Sequence, residues 1–373
     1  MEDIASGLEG VVVAATRLSE VDGERGRLII GGYPVEELAP HAHFEEVLFL
    51  LWHGRLPSPA ERAALAETLA ARRALPEATQ VLLHDAARRG VPAMDALRMG
   101  VATLSLGGFG GGDREAALDD AATLVAALPT VIATYWRHRE GRALPRLRRD
   151  LGHVAHALWL LEGREPDPAV VRALETYCNT VVDHGMNAST FTARVIASTQ
   201  SDLCSAVVGA IGALKGPLHG GANERVLEVL KEVQKMGDAE AWVREALAKK
   251  RRIMGFGHRV YKNGDPRAVI LRGYCRELAE ESGDMEMEEI ADTIERIVRT
   301  EKGLPPNLDW PSARLYHAMG LEPEVFTPLF VVSRVVGWAA HVLEQSESNR
   351  LIRPRSRYNG PAKRKFVPLA QRD

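Results

Sequence analysis

A chain of 373 residues, 46% apolar and 26% charged, is long and apolar enough for one large or two medium domains around a sizeable core. A formal net charge of −3 argues against a globally basic nucleic-acid binder, though not against a local basic patch. The three cysteines, Cys178, Cys204 and Cys275, are scattered and form neither a CxxC pair nor a disulfide framework, so a reducing, cytoplasmic setting is expected.

The N-terminal MEDIASGLEG lacks a basic region followed by an apolar one, so no secretory signal is expected, and no apolar run reads as a bilayer span. Residues 11–17 (VVVAATR) and 27–30 (RLII) are short β-type runs around the turn signal Asp22–Gly23, which predicts a small N-terminal hairpin. Almost everything later has helical period. Phe44 to Trp52 predicts a helix stopped by Gly54, and Pro57–Ser58–Pro59 opens the next. Further helices are predicted over 60–73, 79–90, 93–106, 114–139, 151–162, 168–182, 189–199 and 204–215. Residues 107–112 (GGFGGG) match no phosphate-loop pattern and follow no strand, so they read as a flexible connection. His153 and His156 are three apart on one helix, but no third ligand is near in sequence, so packed or exposed histidines are expected and no metal. The fold class is mainly α with a minor hairpin.

Several polar groups fit a plain helical protein poorly. Residues 214–224 (LKGPLHGGANE) end one helix at Gly216–Pro217 and begin another, with Val226, Val229, Leu230 and Val233 on one face. His219 therefore lies in a glycine-rich turn at a helix start, where unpaired N–H groups disfavour an imidazolium. A neutral imidazole there can stabilise an enol, or simply fill a corner. His184 sits in a polar cluster between two helices, where Asn187 and Ser189 can cap the second. Residues 255–262 (GFGHRVYK), then Asp265 and Arg267, crowd His258, Arg259, Lys262 and Arg267 into a loop suited to a polyanion, or to solvent. Asp309 precedes a helix expected from near Pro311, as a helix-end carboxylate or a fixed base. Thr327 is expected to cap the last long helix with Pro328 at its first position. Arg334 within that apolar helix should be buried and needs an anion, from the protein or from a ligand. Together, a lone carboxylate, three histidines in turns and held arginines suit proton abstraction beside a carbonyl.

GLEGVVVAAT, DHGMNASTFTARV, GALKGPLHGGANE, MGFGHRVYKNGDPRA, PNLDW, FTPLFVVSRVVGWAAHVLEQ and LIRPRSRY resemble the citrate synthase family, nearly end to end and in the same order. The resemblance implies a two-domain helical fold, with 1–220 and 321–373 as the large domain and 221–320 as a small domain that closes over the site. It implies a homodimer and no cofactor, acetyl-CoA being a substrate. Asp309 matches the base that deprotonates the acetyl methyl, His219 the group on the enol oxygen, and His258 the donor to the oxaloacetate carbonyl. His184, Arg267 and Arg334 match oxaloacetate or citrate ligands, and Arg353 matches an arginine that reaches the neighbouring active site. Ile253, Met254, Gly255, Phe256, Gly257, Arg259, Lys262 and Lys302 match the CoA side.

One departure bears on the acyl group. Many family members read PNVDFYSG where this chain has PNLDWPSA, and Trp310, Pro311 and Ala313 are closer to 2-methylcitrate synthases, which use propionyl-CoA. One methylene is worth about 1–3 kcal/mol in a pocket. Citrate synthesis is the main reading and 2-methylcitrate synthesis the alternative. A remoter alternative is a non-catalytic CoA- or nucleic-acid-binding protein, resting on seven basic and no acidic residues between Arg350 and Lys365.

Overall fold

The computed structural model describes residues 4–109 and 112–372; Gly110 and Gly111, inside the glycine-rich connection expected over 107–112, lie outside the described residues. An N-terminal sheet of three antiparallel strands, β1 (Ser19–Asp22), β2 (Arg27–Ile30) and β3 (Tyr33–Pro34), precedes the helices. The expected hairpin exists, but its first strand is β1 and not residues 11–17. The turn after Asp22 sets Ser19 opposite Ile30 and Asp22 opposite Arg27. Val11, Val12 and Val13 have the right side chains but no partner strand, and stay exposed.

Helices α1 (Val35–Leu38), α2 (Phe44–His53), α3 (Pro59–Ala71), α4 (Glu77–Arg88) and α5 (Ala93–Thr103) lead into α6 (Arg114–Arg139). Then come α7 (His153–Glu162), α8 (Pro168–Val181), α9 (Ala188–Ser198) and α10 (Leu203–Leu214). Local signals explain many boundaries. Ser58 and Glu61 form a reciprocal capping box before α3, with Pro59 at its first position. Gly54 ends α2 in the left-handed conformation, φ 75°.

The core is built around α6 and α16 (Phe326–Glu347), which pack on each other; α16 also meets α2, α8, α9 and α10. Arg114–Arg139 and the stretch Pro323–Glu347 are long and apolar enough to cross a bilayer, contrary to the sequence reading, but both are mostly buried inside this fold. An all-round apolar helix is what a large core requires.

Between these parts lie α11 (Ala222–Met236), α12 (Ala239–Ala248), α13 (Pro266–Ser282), α14 (Glu286–Lys302) and α15 (Asp309–Ala318). They pack chiefly on one another, and α13 also meets α1 and α8. Two further expectations are corrected. Asp309 is the first residue of α15, not a residue before it, because Asn307 Oδ1 accepts its amide at 3.0 Å. Thr327 is not a cap: a turn at Pro323–Val325 winds straight into α16, and the Thr327 hydroxyl instead donates to Glu224 Oε1 at 2.7 Å.

Candidate active site

The segments 253–267 and 305–310 are laced together by backbone. Asn307 N–H donates to Gly255 O at 2.8 Å, Gly257 N–H to Pro305 O at 2.9 Å, and Asn307 Nδ2 to Gly257 O at 2.8 Å. Gly255, at φ +88°, is where only glycine fits: a Cβ would stand 2.8 Å from the Trp310 ring and 3.0 Å from Val226 of α11. So the GFGH loop, the start of α15 and the helix after the His219 turn converge on one point. The tip of the hairpin braces the same loop, through Lys262 N–H to Gly23 O at 3.0 Å and Asn263 Nδ2 to Glu24 O at 2.6 Å.

The hydrogen-bond partners of two imidazoles fix their tautomers. His258 Nδ1 accepts the amides of Val260 and Tyr261 at 3.0 and 3.1 Å, leaving the ring hydrogen on Nε2. His219 Nε2 accepts the Ser189 amide at 3.3 Å and lies 2.9 Å from the Ser189 hydroxyl, which places its hydrogen on Nδ1. Burial, then the neighbouring Arg334, lowers the His219 pKa to about 4. Burial, then Arg267, likewise lowers His258 to about 4. Both rings are uncharged at neutral pH. For His219 that agrees with expectation, with desolvation and the Arg334 cation as the leading causes. His184 lies edge-on to His258 at 5.7 Å, with Tyr261 Oη 3.0 Å from its Nε2. Burial, then Arg267, Arg334 and His258, pushes His184 well below its ordinary pKa.

Asp309 behaves in the opposite way. Asp309 is half-buried, and the surrounding protein desolvates its carboxyl. That desolvation raises its pKa from 3.8 to about 6, against the pull of Arg267 and Arg225. A carboxylate held there is a stronger base than a surface aspartate and is still mostly ionised at pH 7.

Two arginines share this neighbourhood. Arg267 is buried and paired with Asp265, Nε to Oδ1 at 2.9 Å and one Nη to Oδ2 at 2.8 Å. Arg334 is buried, stacks over Phe330 at 4.5 Å and donates Nε to Val181 O at 2.6 Å. Among the described residues no carboxylate lies within ion-pair distance of Arg334, and burial lowers its pKa to about 10. Of the alternatives left open for its anion, a directly paired protein carboxylate is therefore the one the structure lacks.

The remaining expected residues lie further out. Ile253 is buried and Met254 and Phe256 half-buried beneath the loop, Phe256 stacking on Trp310 at 4.6 Å. Arg259 and Lys262 are exposed on the loop, and Lys302 at the end of α14. Arg353 is exposed in the extended tail, just after Ile352 N–H is tied to Ser198 Oγ at 3.1 Å. His153 and His156 lie elsewhere, buried in α7 without hydrogen-bond partners, and no group of three or more metal-binding side chains occurs among the described residues.

Some site residues went unnoticed in the sequence, and Ser189, expected there as a helix cap, lies inside α9, which Asn187 alone caps. Tyr261, 1% exposed, joins His184 to His258. Ser189 holds His219 and itself accepts from Trp338 Nε1 at 3.2 Å. Arg225 braces the His219 turn by donating to Gly221 O and Pro217 O, both at 3.2 Å. Tyr261 stands inside the GFGHRVYK stretch, so its position was the available signal; the roles of Ser189, Trp338 and Arg225 appear only on folding.

Comparison with known proteins bears on this constellation. Residues 7–355 match the family model described as citrate synthase, C-terminal domain. The chain is 44% identical to the citrate synthase of Haloferax volcanii, over 99% of both chains, and 44% identical to citrate synthase 2 of Bacillus subtilis, over 98% of both. It is 40% identical to 2-methylcitrate synthase 2 of Corynebacterium glutamicum, covering 99% of this chain and 98% of that one. Among solved structures, the citrate synthase of Pyrobaculum aerophilum superposes with a TM-score of 0.91 at 40% identity, over 99% of this chain and 95% of that one. The Thermoplasma acidophilum citrate synthase, solved with carboxymethyl coenzyme A and oxaloacetate, gives 0.91 at 34% identity over 100% of both.

Proposed function

The chain belongs to the citrate synthase family, and on that premise we propose that it condenses acetyl-CoA with oxaloacetate and water to citrate and coenzyme A, as in the tricarboxylic acid cycle. The observation that carries this reading is the hydrogen-bond pattern at two uncharged imidazoles, which turns one N–H of His219 and one of His258 away from the backbone. Asp309 takes a proton from the acetyl methyl while His219 Nδ1–H hydrogen-bonds the thioester oxygen, giving the enolate. The enolate carbon attacks the keto carbon of oxaloacetate, His258 Nε2–H gives its proton to the keto oxygen, and the proton taken by Asp309 balances the one that His258 gives up. Water then cleaves the citryl thioester, releasing citrate and the CoA thiol. No cofactor enters this sequence.

His184, Arg267 and Arg334 hold the carboxylates of oxaloacetate in this scheme. A dicarboxylate would supply the anion that Arg334 lacks. Ile253, Met254, Gly255, Phe256, Gly257, Arg259, Lys262 and Lys302 form the CoA side. Residues 221–320 act as a small domain closing on 1–220 and 321–373, which excludes water from the enolate. The working unit is a homodimer in the cytoplasm, with Arg353 of the partner subunit completing each site. An apolar groove of about 820 Å³ along α4 and α5, lined by Val81, Leu82, Val91 and Met99, gives a second copy a surface to cover.

The test is thiol release from acetyl-CoA, expected only when oxaloacetate is present and lost in Asp309→Asn. A folded Asp309→Asn enzyme with full turnover would remove the base. The 40% identity to 2-methylcitrate synthases favours one second reading, propionyl-CoA as acyl donor. Comparing kcat/KM for the two thioesters at saturating oxaloacetate decides between them.

A further inference from the structure

Behind the keto-acid subsite lies a buried polar chain that the reaction scheme does not use. His341 of α16 is fully buried, with Nε2 3.1 Å from Asp183 Oδ1 and Nδ1 3.0 Å from Arg194 Nη1. A guanidinium can only donate, so Nδ1 accepts and Nε2–H is directed at Asp183. Arg194 is itself held by Glu344 Oε2 at 2.7 Å and Gln345 Oε1 at 3.1 Å. The other Glu344 oxygen accepts the Arg17 amide at 2.9 Å. On its far side, Asp183 Oδ2 accepts the Ser19 hydroxyl at 2.5 Å and the Gly185 amide at 3.3 Å, and Ser19 Oγ accepts the Gly185 amide at 2.9 Å.

Two consequences meet at Asp183. Its carboxylate, directly and through Ser19, holds the Gly185 amide and so the peptide that follows His184. It is also the carboxylate whose attraction reaches the buried Arg334, although the two make no direct ion pair. Burial would raise Asp183, but His341, Ser19 and Arg334 outweigh it and keep the acid ionised. Close approach makes the geometry rigid: a Cβ on Gly337 of α16 would stand 2.2 Å from Val182 O and 3.0 Å from Asp183 Oδ1.

We propose that His341 is a positioning residue for the keto-diacid subsite: by donating to Asp183 it fixes the carboxylate that holds the backbone next to His184. His341 acts through Asp183 and touches no substrate. The inference rests on the reading of that subsite as an oxaloacetate site.

The experiment compares His341→Leu, which fills space but cannot donate, with His341→Gln, which keeps a donor, and with Ser19→Ala, which removes the second side-chain donor to Asp183. For each, oxaloacetate KM, acetyl-CoA KM at saturating oxaloacetate, kcat and the thermal midpoint are measured. His341→Leu is expected to raise oxaloacetate KM about tenfold or more, and Ser19→Ala by a few-fold, the range lost with a buried hydrogen bond. Acetyl-CoA KM should stay within about twofold, and His341→Gln should recover most of the loss. Unchanged oxaloacetate KM in a folded His341→Leu enzyme overturns the inference. So does an equal loss for both substrates, or, should His341→Leu not fold, a normal oxaloacetate KM in Ser19→Ala. If the unaltered enzyme releases no thiol with oxaloacetate, the reading of the subsite itself fails instead.

Discussion

The carboxylate of Asp265 grips the guanidinium of Arg267 through two parallel hydrogen bonds, 2.9 and 2.8 Å long, and its Oδ2 also accepts the Leu308 amide at 3.1 Å. One buried acid thus orients an arginine and anchors the peptide just before Asp309. Asp265→Asn keeps the size and leaves the guanidinium without its counter-charge. Removing one partner of a buried pair costs about 3–5 kcal/mol, so a large drop in the denaturation midpoint is expected. Oxaloacetate KM should rise with it, because Arg267 would be free to turn. Chemical unfolding and steady-state kinetics on the same preparation check both effects.

Asp309 links activity and stability to pH with opposite signs. Its folded pKa is raised from 3.8 to about 6 by burial, so the folded state holds a proton that the unfolded chain has already lost between these values. Stability therefore falls as pH rises through that window, by up to about 3 kcal/mol in total at 1.36 kcal/mol per unit. Asp309→Asn should abolish that loss and leave the enzyme at least as stable at pH 7. A base must be ionised, so kcat/KM should fall about tenfold per unit below pH 6. Asp309→Asn should lower kcat by at least about 10²-fold at pH 7 and above, and by less as the pH falls below 6. Paired profiles of kcat/KM and unfolding free energy from pH 5 to 8 test this coupling.

Gly255→Ala tests the point where the loop, α11 and α15 meet. The new methyl would lie 2.8 Å from the Trp310 ring, on a backbone at φ +88°. Strain and overpacking together should cost about 2–4 kcal/mol. Since Trp310 follows Asp309 directly, kcat should drop more than oxaloacetate binding weakens. Thermal melts and a KM-against-kcat comparison separate the two effects.

Tyr261→Phe removes one hydroxyl and little else. The ring keeps its contacts with His184 and His258, and the backbone amide that sets the His258 tautomer is untouched. Only the 3.0 Å contact to His184 Nε2 is lost. Leaving that nitrogen unpaired in a desolvated site costs about 1–3 kcal/mol, so oxaloacetate affinity should weaken about tenfold with a small change in kcat. Binding of oxaloacetate followed by calorimetry gives the number directly.

The helices and the motifs were readable because their signals are local. Gly54, the Pro57–Ser58–Pro59 helix opening and the repeat Val226, Val229, Leu230, Val233 each act within a turn or two of chain. Errors arose where distant chain decides. Val11–Val13 read as strand, but only Ser19–Asp22 has a partner in register. Thr327 read as a cap, but its hydroxyl turns to Glu224, 103 residues earlier. In the site the candidate acids and bases could be named, and His219 could be expected neutral, yet its tautomer and the raised pKa of Asp309 could not be read. The tautomer of His219 depends on Ser189, 30 residues away, and the acidity of Asp309 on desolvation by the folded surroundings. The link from His341 to Asp183 spans 158 residues and leaves no pattern in either neighbourhood.

Arg353 offers a test of whether each site is shared between subunits. It follows Ile352, whose amide is tied to Ser198 at the end of α9, and it stands in an exposed tail. Arg353→Ala and Asp309→Asn should each be inactive or nearly so alone. In a mixed two-fold dimer, the site with intact Asp309 receives an intact Arg353 from the other subunit, while the second site carries both defects. Mixing the variants one to one with exchange makes half of the dimers mixed, each with one good site, so activity should return to about one quarter of normal for a symmetric pair. If Arg353 served its own subunit's site, every site in the mixture would carry one defect and no activity would return. The regain on mixing, followed as thiol release over the time of subunit exchange, distinguishes the two arrangements.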